Sequence, residues 1–163
     1  MKKKEILIVD LDGTFLKTDI LWESVINLVH KKKFNVIFSL IFLSKTEAKE
    51  KLFKYSSINY EILPVNNKVF NLVKKWNKKN IKVILVSGSN QKVLEEIKSI
   101  FPYFNNVFGS DSKVNLVGQN KANFIKEKFG NRVVYYIGNS KEDIPVWKIS
   151  DYPITCNISS SLS

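Results

Sequence analysis

Two aspartates, Asp10 and Asp12, flank Leu11 directly after the apolar run EILIV, and Gly13 and Thr14 complete the turn DLDGT. Carboxylates in such a turn can attack an electrophile, carry a proton or hold a hard cation. Three further polar groups follow the same plan. Ser87 opens Ser87-Gly88-Ser89 behind the apolar run IKVILV, Lys121 stands at the start of QNKANFIKEKFG, and GNSKED sets Asn139 and Asp143 behind RVVYYI. At position 139 a carboxylate aimed at a divalent cation is expected, yet the residue is an amide. Singly, each group has a bland explanation: an Asp after a strand caps a helix, Ser-Gly-Ser makes a turn, and Lys121 is one of 25 lysines. Their order, with the carboxylates, the serines and Asn139 behind apolar runs and Lys121 at a helix start, is what gathers them into one site.

The elements that must position them read as alternating strands and helices. Residues 5–9 and 81–86 are short β-branched runs without polar alternation, which suits strands buried on both faces. NVFGSD, RVVYYI and YPITC supply three more strands. Helices are expected where Ile20, Leu21, Val25, Leu28 and Val29 recur after a Thr18 or Asp19 cap, and where Val69, Leu72, Val73 and Trp76 share a face before Asn80. Further helices begin at Asn90, run through QNKANFIKEKF to Gly130, and restart at DIPVW with Pro145 in the first turn. The pattern predicts an α/β, doubly wound parallel sheet. Residues 15–65 are far longer than a crossover needs and are read as a small helical cap inserted after the first strand, with 1–14 and 66–163 as the core. In such sheets ligands gather outside the carboxyl ends of the strands, where Asp10, Asp12, Thr14, Ser87, Asn139 and Asp143 fall.

Composition narrows the chemistry. With 163 residues the chain can bury one full core. A net charge of +11 points to anionic company or to solubility in a lysine-rich background. Arg132 is the one arginine, and Arg forks are what read bases, so nucleic acid is not expected as a partner. Cys156 stands alone, which excludes an intrachain disulfide and a thiolate metal site. His30 is the single histidine, so histidine triads and polyhistidine metal centres are excluded and carboxylates carry the chemistry. The opening run ILIV is too short for a signal peptide, and no stretch reaches the ~18 apolar residues of a membrane span. The expected location is cytoplasmic, either free or peripheral at the inner face of the membrane.

IVDLDGT, LVSGS, Lys121 and GNSKED, in that order, resemble the four motifs of the haloacid-dehalogenase-like phosphohydrolase superfamily over about residues 5–156. DLDGTFLKTDILWES, GSDSKVNLVGQNKA and DIPVW are more similar still to the phosphohydrolase-like domains fused to, or encoded beside, UbiA-family prenyltransferases. The resemblance implies a Rossmann-like core and hydrolysis of a small-molecule phosphomonoester, a sugar phosphate or a prenyl-linked phosphate. It makes Asp10 the nucleophile that forms an aspartyl phosphate, and Asp12 the acid and then base. Thr14 would order the loop, while Ser87 and the backbone N–H groups of Gly88 and Ser89 would bind phosphoryl oxygens. Lys121 would neutralise Asp10 and the phosphate. Mg²⁺ would be held by the Asp10 carboxylate, the Asp12 carbonyl and residue 139, with Asp143 ordering metal-bound water or Lys121.

Asn139 departs from that pattern, since the family usually has Asp there. An amide oxygen ligates Mg²⁺ without charge, which implies retained geometry and weakened affinity. The alternative is a catalytically weak or silent module that binds a phosphorylated ligand or serves a membrane prenyltransferase. Lys31–Lys33 and the apolar Phe34–Leu43 pose a second question. As a helix this stretch is ~15 Å long and cannot span a bilayer. It either packs against the rest of the cap or lies in the interface with its lysines at anionic headgroups.

Overall fold

The structure, a computed structural model, describes residues 3–111 and 114–157. Five parallel strands, β1 (Glu5–Val9), β2 (Lys82–Asn90), β3 (Asn106–Ser110), β4 (Val133–Gly138) and β5 (Tyr152–Thr155), form one sheet in the order β3-β2-β1-β4-β5. The chain winds outward from β1 through β2 to β3, then returns to place β4 on the other side of β1. That reversal opens a crevice at the carboxyl ends of β1 and β4. The α/β, Rossmann-like doubly wound sheet expected from the alternation of elements is what the chain adopts.

Both faces of β1 are covered. Leu7 and Val9 join a core with Val73 of α4 (Asn67–Lys78) and Leu94 of α5 (Gln91–Ile100). Ile6 and Ile8 face the other way, toward Ile125 of α6 (Gly118–Phe129) and Val146 of α7 (Ile144–Ile149). All four β1 side chains are fully buried, which explains a run with no polar alternation. Asn80, at φ 57°, ends the α4 segment as its position after Trp76 predicts.

Two sequence expectations need correction. β2 does not stop at Val86 but runs on to Asn90, with its register against β3 shifting between Val86 and Asn90. Ser87–Ser89 therefore stay extended while leaving regular pairing, which aims their polar groups away from the ladder. The stretch 34–43 is not one helix. It forms α2 (Phe34–Ser39) and a separate 3₁₀ turn, Leu40–Phe42, and neither contains a buried residue. No side chain caps α2, and the β-branched and aromatic Val36, Ile37 and Phe38 are weak helix formers. Val36, Ile37 and Leu40 are half-buried, while Phe34, Phe38, Ile41 and Phe42 are exposed, so the stretch is packed on one side only.

α1 (Ile20–His30), α2 and α3 (Lys45–Tyr55) occupy the long connection between β1 and α4. Its two ends are tied together: Leu16 bridges Val65, and the Lys17 amide donates to the Pro64 carbonyl at 2.7 Å. Phe15, fully buried, anchors this neck beneath the site. Its ring meets Phe104 at 5.0 Å, Phe101 at 5.1 Å and Phe70 at 6.0 Å, all edge to face. Phe15→Ala should lower unfolding stability by about 3–5 kcal/mol in urea titration, and a change below 1 kcal/mol would show that the neck does not depend on this ring.

Candidate active site

Asp10 begins the site because β1 ends there and its amide still donates to the Ile137 carbonyl of β4, at 3.0 Å. The turn that follows has type II geometry, Asp12 at φ −75°, ψ 122° and Gly13 at φ 72°, ψ −10°. Glycine is required at 13 on two grounds. The positive φ disfavours a side chain, and a Cβ there would lie 2.2 Å from Asn139 Nδ2. The turn thus carries Asp10, Asp12 and Thr14 while Asn139 occupies the space a side chain would fill.

Lys121, in the first turn of α6, is buried and connects three groups. Its Nζ donates to Asp10 Oδ1 at 2.7 Å, to Asp143 Oδ1 at 3.2 Å and to the Tyr136 hydroxyl at 3.2 Å. Tyr136 in turn donates to Asp143 Oδ1 at 2.5 Å. The other Asp143 oxygen accepts the amides of Asn139 and Ser140, at 3.0 and 3.2 Å, and the Ser140 hydroxyl at 3.3 Å. Gly138 makes room, since a Cβ there would sit 2.6 Å from the Asp143 carboxyl carbon. Asp143 therefore fixes both Lys121 and the backbone that presents Asn139.

Asp12 is held from both sides. Its Oδ1 accepts the Ile20 amide at the start of α1, at 2.9 Å, and its Oδ2 accepts the Ser87 and Ser89 hydroxyls at 3.0 and 2.7 Å. The Ser87 hydroxyl thus faces Asp12, and the Ser89 amide donates to Ser87 Oγ at 3.0 Å. The Thr14 hydroxyl, fully buried, lies 3.2 Å from Asp10 Oδ2 and 3.1 Å from Asn139 Oδ1. With one proton it donates to one of them at a time.

Electrostatics follow from three carboxylates and one ammonium in a largely buried floor. Burial pushes the Asp10 carboxyl up to about 7, against the pull of Lys121, and Asp143 and Asp12 add to the rise. Burial also raises Asp12, partly opposed by the Ile20 amide. For Lys121, burial acts downward but the surrounding anions, Asp10 foremost, hold the ammonium well above its usual range. Asp143 resists burial through Lys121 and its donated hydrogen bonds and lies below the usual carboxylate range. Negative charge remains in excess.

This floor opens into a cavity of about 690 Å³. Asp10, Asp12, Gly13, Ser87, Gly88, Ser89, Lys121, Asn139 and Asp143 all line it, so these sequence-singled residues are neighbours in space, with Thr14 just beneath. Sequence reasoning missed Tyr136, hidden in an apolar strand, although a buried tyrosine hydroxyl needs a partner. It also missed Lys17, Lys49 and Lys141 on the cavity wall. Lys49 reaches from α3 to donate to the Gly88 carbonyl at 2.5 Å and to Asn115 Oδ1 at 3.1 Å. Nothing separates these lysines from the others in sequence. Within GSDSKVNLVGQNKA, Ser112 and Lys113 lie outside the described residues, as does 158–163 at the end of the chain.

No family model matches the chain. Among curated proteins it is similar to the uncharacterized protein y4nM of Sinorhizobium fredii, 27% identical over 144 residues that make up 87% of this chain and 28% of that protein. The chain thus spans little more than a quarter of that relative's length. Among solved structures it is similar to a protein of unknown function from Bordetella pertussis Tohama I, at TM-score 0.74 and 14% identity, covering 99% of this chain and 93% of that one. A HAD family hydrolase from Salmonella enterica serovar Typhi matches at TM-score 0.70 and 12% identity, over 99% and 65% of the two chains. A phosphoserine phosphatase in its apo form matches at TM-score 0.68 and 14% identity, over 96% and 88%. The fold is therefore the one that HAD-superfamily hydrolases share.

The charge arrangement has a stability consequence. Lys121→Met leaves two buried carboxylates without their cation and should lower the stability measured in urea by about 3–5 kcal/mol. Adding Asp10→Asn to that variant should restore part of the loss, because one orphaned charge is removed. Equal unfolding midpoints for the parent and Lys121→Met would show that the ammonium does not offset these carboxylates.

Proposed function

We propose that this chain is a Mg²⁺-dependent phosphatase that hydrolyses a small-molecule phosphomonoester through an aspartyl phosphate on Asp10. The observation that carries the reading is the placement of Asp10 at the switch point, one oxygen bound by Lys121 and the carboxylate lining an open cavity. The fold shared with HAD hydrolases and phosphoserine phosphatase supports it. So does a cavity volume within the range of small-molecule sites.

Among the described residues no three His, Cys, Asp or Glu side chains converge as a metal cage. Mg²⁺ needs less, because it keeps several waters and binds through one or two carboxylates plus substrate phosphate. The donors here fit that demand: Asp10 and Asn139 offer oxygens on either side of the Thr14 hydroxyl. Both Asp12 carboxylate oxygens accept hydrogen bonds, which leaves its main-chain carbonyl as the group it would lend to a cation. When bound, the cation supplies positive charge that offsets the excess carboxylates and the phosphoryl oxygens.

Lys121 and Thr14 orient the Asp10 carboxylate, so that one oxygen would attack phosphorus and the other would face the cation. A bond forms from the attacking oxygen to phosphorus while the ester P–O bond breaks, and Asp12 gives the departing oxygen a proton. A water oxygen then attacks phosphorus, its proton goes to Asp12, the Asp10 bond breaks and inorganic phosphate leaves. A buried Asp12 with a raised pKa suits the protonated start of that cycle. Ser87 and Ser89 hold its rotamer, and both hydroxyls can turn to phosphoryl oxygens. The insertion over residues 15–65 acts as the cap in this reading, and its Lys49 meets an anionic substrate at the cavity wall.

Asp10→Asn should abolish Mg²⁺-dependent turnover of p-nitrophenyl phosphate while leaving the circular dichroism spectrum unchanged. Turnover equal to the parent would remove Asp10 as nucleophile, and an inactive parent would favour the silent module. Asn139→Asp should lower the Mg²⁺ concentration for half-maximal turnover on the order of tenfold, through one added ligand charge. Lys49→Ala should raise KM about tenfold and change kcat less, as loss of a charge-assisted contact made in the ground state would. A fall in kcat at constant KM would instead place Lys49 in the transition state.

A further inference from the structure

α1 is apolar on two faces, and the fold uses one. Ile20, Ser24 and Leu28 point inward and are buried. Trp22, Ile26 and Val29 recur at helical spacing on the outside, with Trp22 64% exposed. The apolar exposure continues past the helix end: Phe34 and Phe38 of α2, then Ile41 and Phe42 at 74% and 88%. The strip begins at the cavity, because Leu21 lines it and is itself exposed. Such a run of large exposed side chains marks a surface that meets another apolar phase.

Beyond the N-cap Asp19 and Glu23 in the first turn of α1, the charge on this strip has one sign. From Ser24 to Ser44 the sequence has no Asp or Glu, but it has three lysines and His30. Lys31 and Lys32 are exposed, whereas Lys33 turns back and donates to the Tyr55 carbonyl at 3.3 Å. The polar side chains of α2 are turned back too. Asn35 Oδ1 accepts the Val36 amide at 2.9 Å, and the Ser39 hydroxyl donates to the Val36 carbonyl at 2.5 Å. What the strip offers outward is mostly hydrocarbon and ammonium, with His30 and Asn35 as its exposed neutral polar groups. A bilayer with anionic headgroups asks for hydrocarbon and cations alone.

We infer that the α1–α2 strip docks this chain on an anionic lipid bilayer, with Trp22, Phe34, Phe38, Ile41 and Phe42 in the interface and Lys31 and Lys32 at the headgroup phosphates. The chain lies on the surface: among the described residues no helix is long and apolar enough to cross a membrane. The net charge of +11 adds long-range attraction to the same surface. This docking does not rest on the phosphatase reading.

The test is sedimentation of the purified chain with vesicles of phosphatidylcholine alone and of phosphatidylcholine mixed with phosphatidylglycerol. The chain should pellet with the mixed vesicles only, and its tryptophan emission should shift to the blue, a shift that Trp22→Phe removes. Phe38→Glu with Phe42→Glu should cut the bound fraction at least about tenfold. Lys31→Gln and Lys32→Gln should weaken binding about fivefold each and reduce its salt dependence. All four side chains are exposed, so the variants should keep the parent's urea midpoint. The proposal is overturned if the parent does not pellet, or if Phe38→Glu with Phe42→Glu pellets as the parent does. It is equally overturned if that pair of changes abolishes only a vesicle-independent self-association, which would make the strip an interface between copies of this chain.

Discussion

The ammonium of Lys121 between two buried carboxylates is the constraint on which the site depends. Taking Asp10 and Asp143 out of water is costly, and neither would stay charged there without a cation within hydrogen-bonding distance. That cation comes from α6, while its partners come from the ends of β1 and β4. Only a sheet that sets β4 beside β1 brings the three together. The switch in strand order is thus an electrostatic requirement of the site as well as a topological fact. Tyr136 completes the arrangement by giving Asp143 a donor that carries no charge, which lets one ammonium serve two carboxylates.

Around that fixed centre the insertion contributes contacts of a different kind. The Ile20 amide holds Asp12 at the start of α1, so the orientation of the proposed proton carrier depends on where the first inserted helix begins. Lys49 crosses from α3 to the Gly88 carbonyl, next to the serines that orient Asp12. In the proposed reaction, strand ends place the groups that react and inserted helices place the groups that meet the rest of a substrate. Any shift of the insertion is felt at the Asp12 carboxylate before it is felt at the Asp10 carboxylate, whose side-chain partners Lys121 and Thr14 belong to the core.

Much of this was legible in the sequence because burial leaves a signature. Runs such as ILIV and VILV, apolar at every position and β-branched, suit strands covered on both faces, and polar residues at their carboxyl ends then fall at the open edge of the sheet. Asp10, Asp12, Ser87, Asn139 and Asp143 were visible on that ground. Lys49 was not, because one lysine in a lysine-rich helix has no pattern of its own and its role depends on where α3 packs. Tyr136 was hidden for the opposite reason: its ring satisfies the apolar pattern and its hydroxyl leaves no trace in it. The stretch 34–43 stayed open because apolar content says that a segment wants cover, while cover itself is a property of its neighbours.

The amide at position 139 follows from the same charge count. The floor already holds Asp10, Asp12 and Asp143 against Lys121, and burial raises Asp10 even with the ammonium 2.7 Å away. A fourth carboxylate would strengthen a cation's hold but would add repulsion whenever the cation leaves. Asn139 keeps the oxygen and drops the charge, and its Nδ2 fills the space above Gly13. Its neutral oxygen also suits the Thr14 hydroxyl, which can turn toward Asp10 without abandoning a second anion. On the proposed reading, the amide exchanges affinity for a divalent cation against stability of the cation-free site.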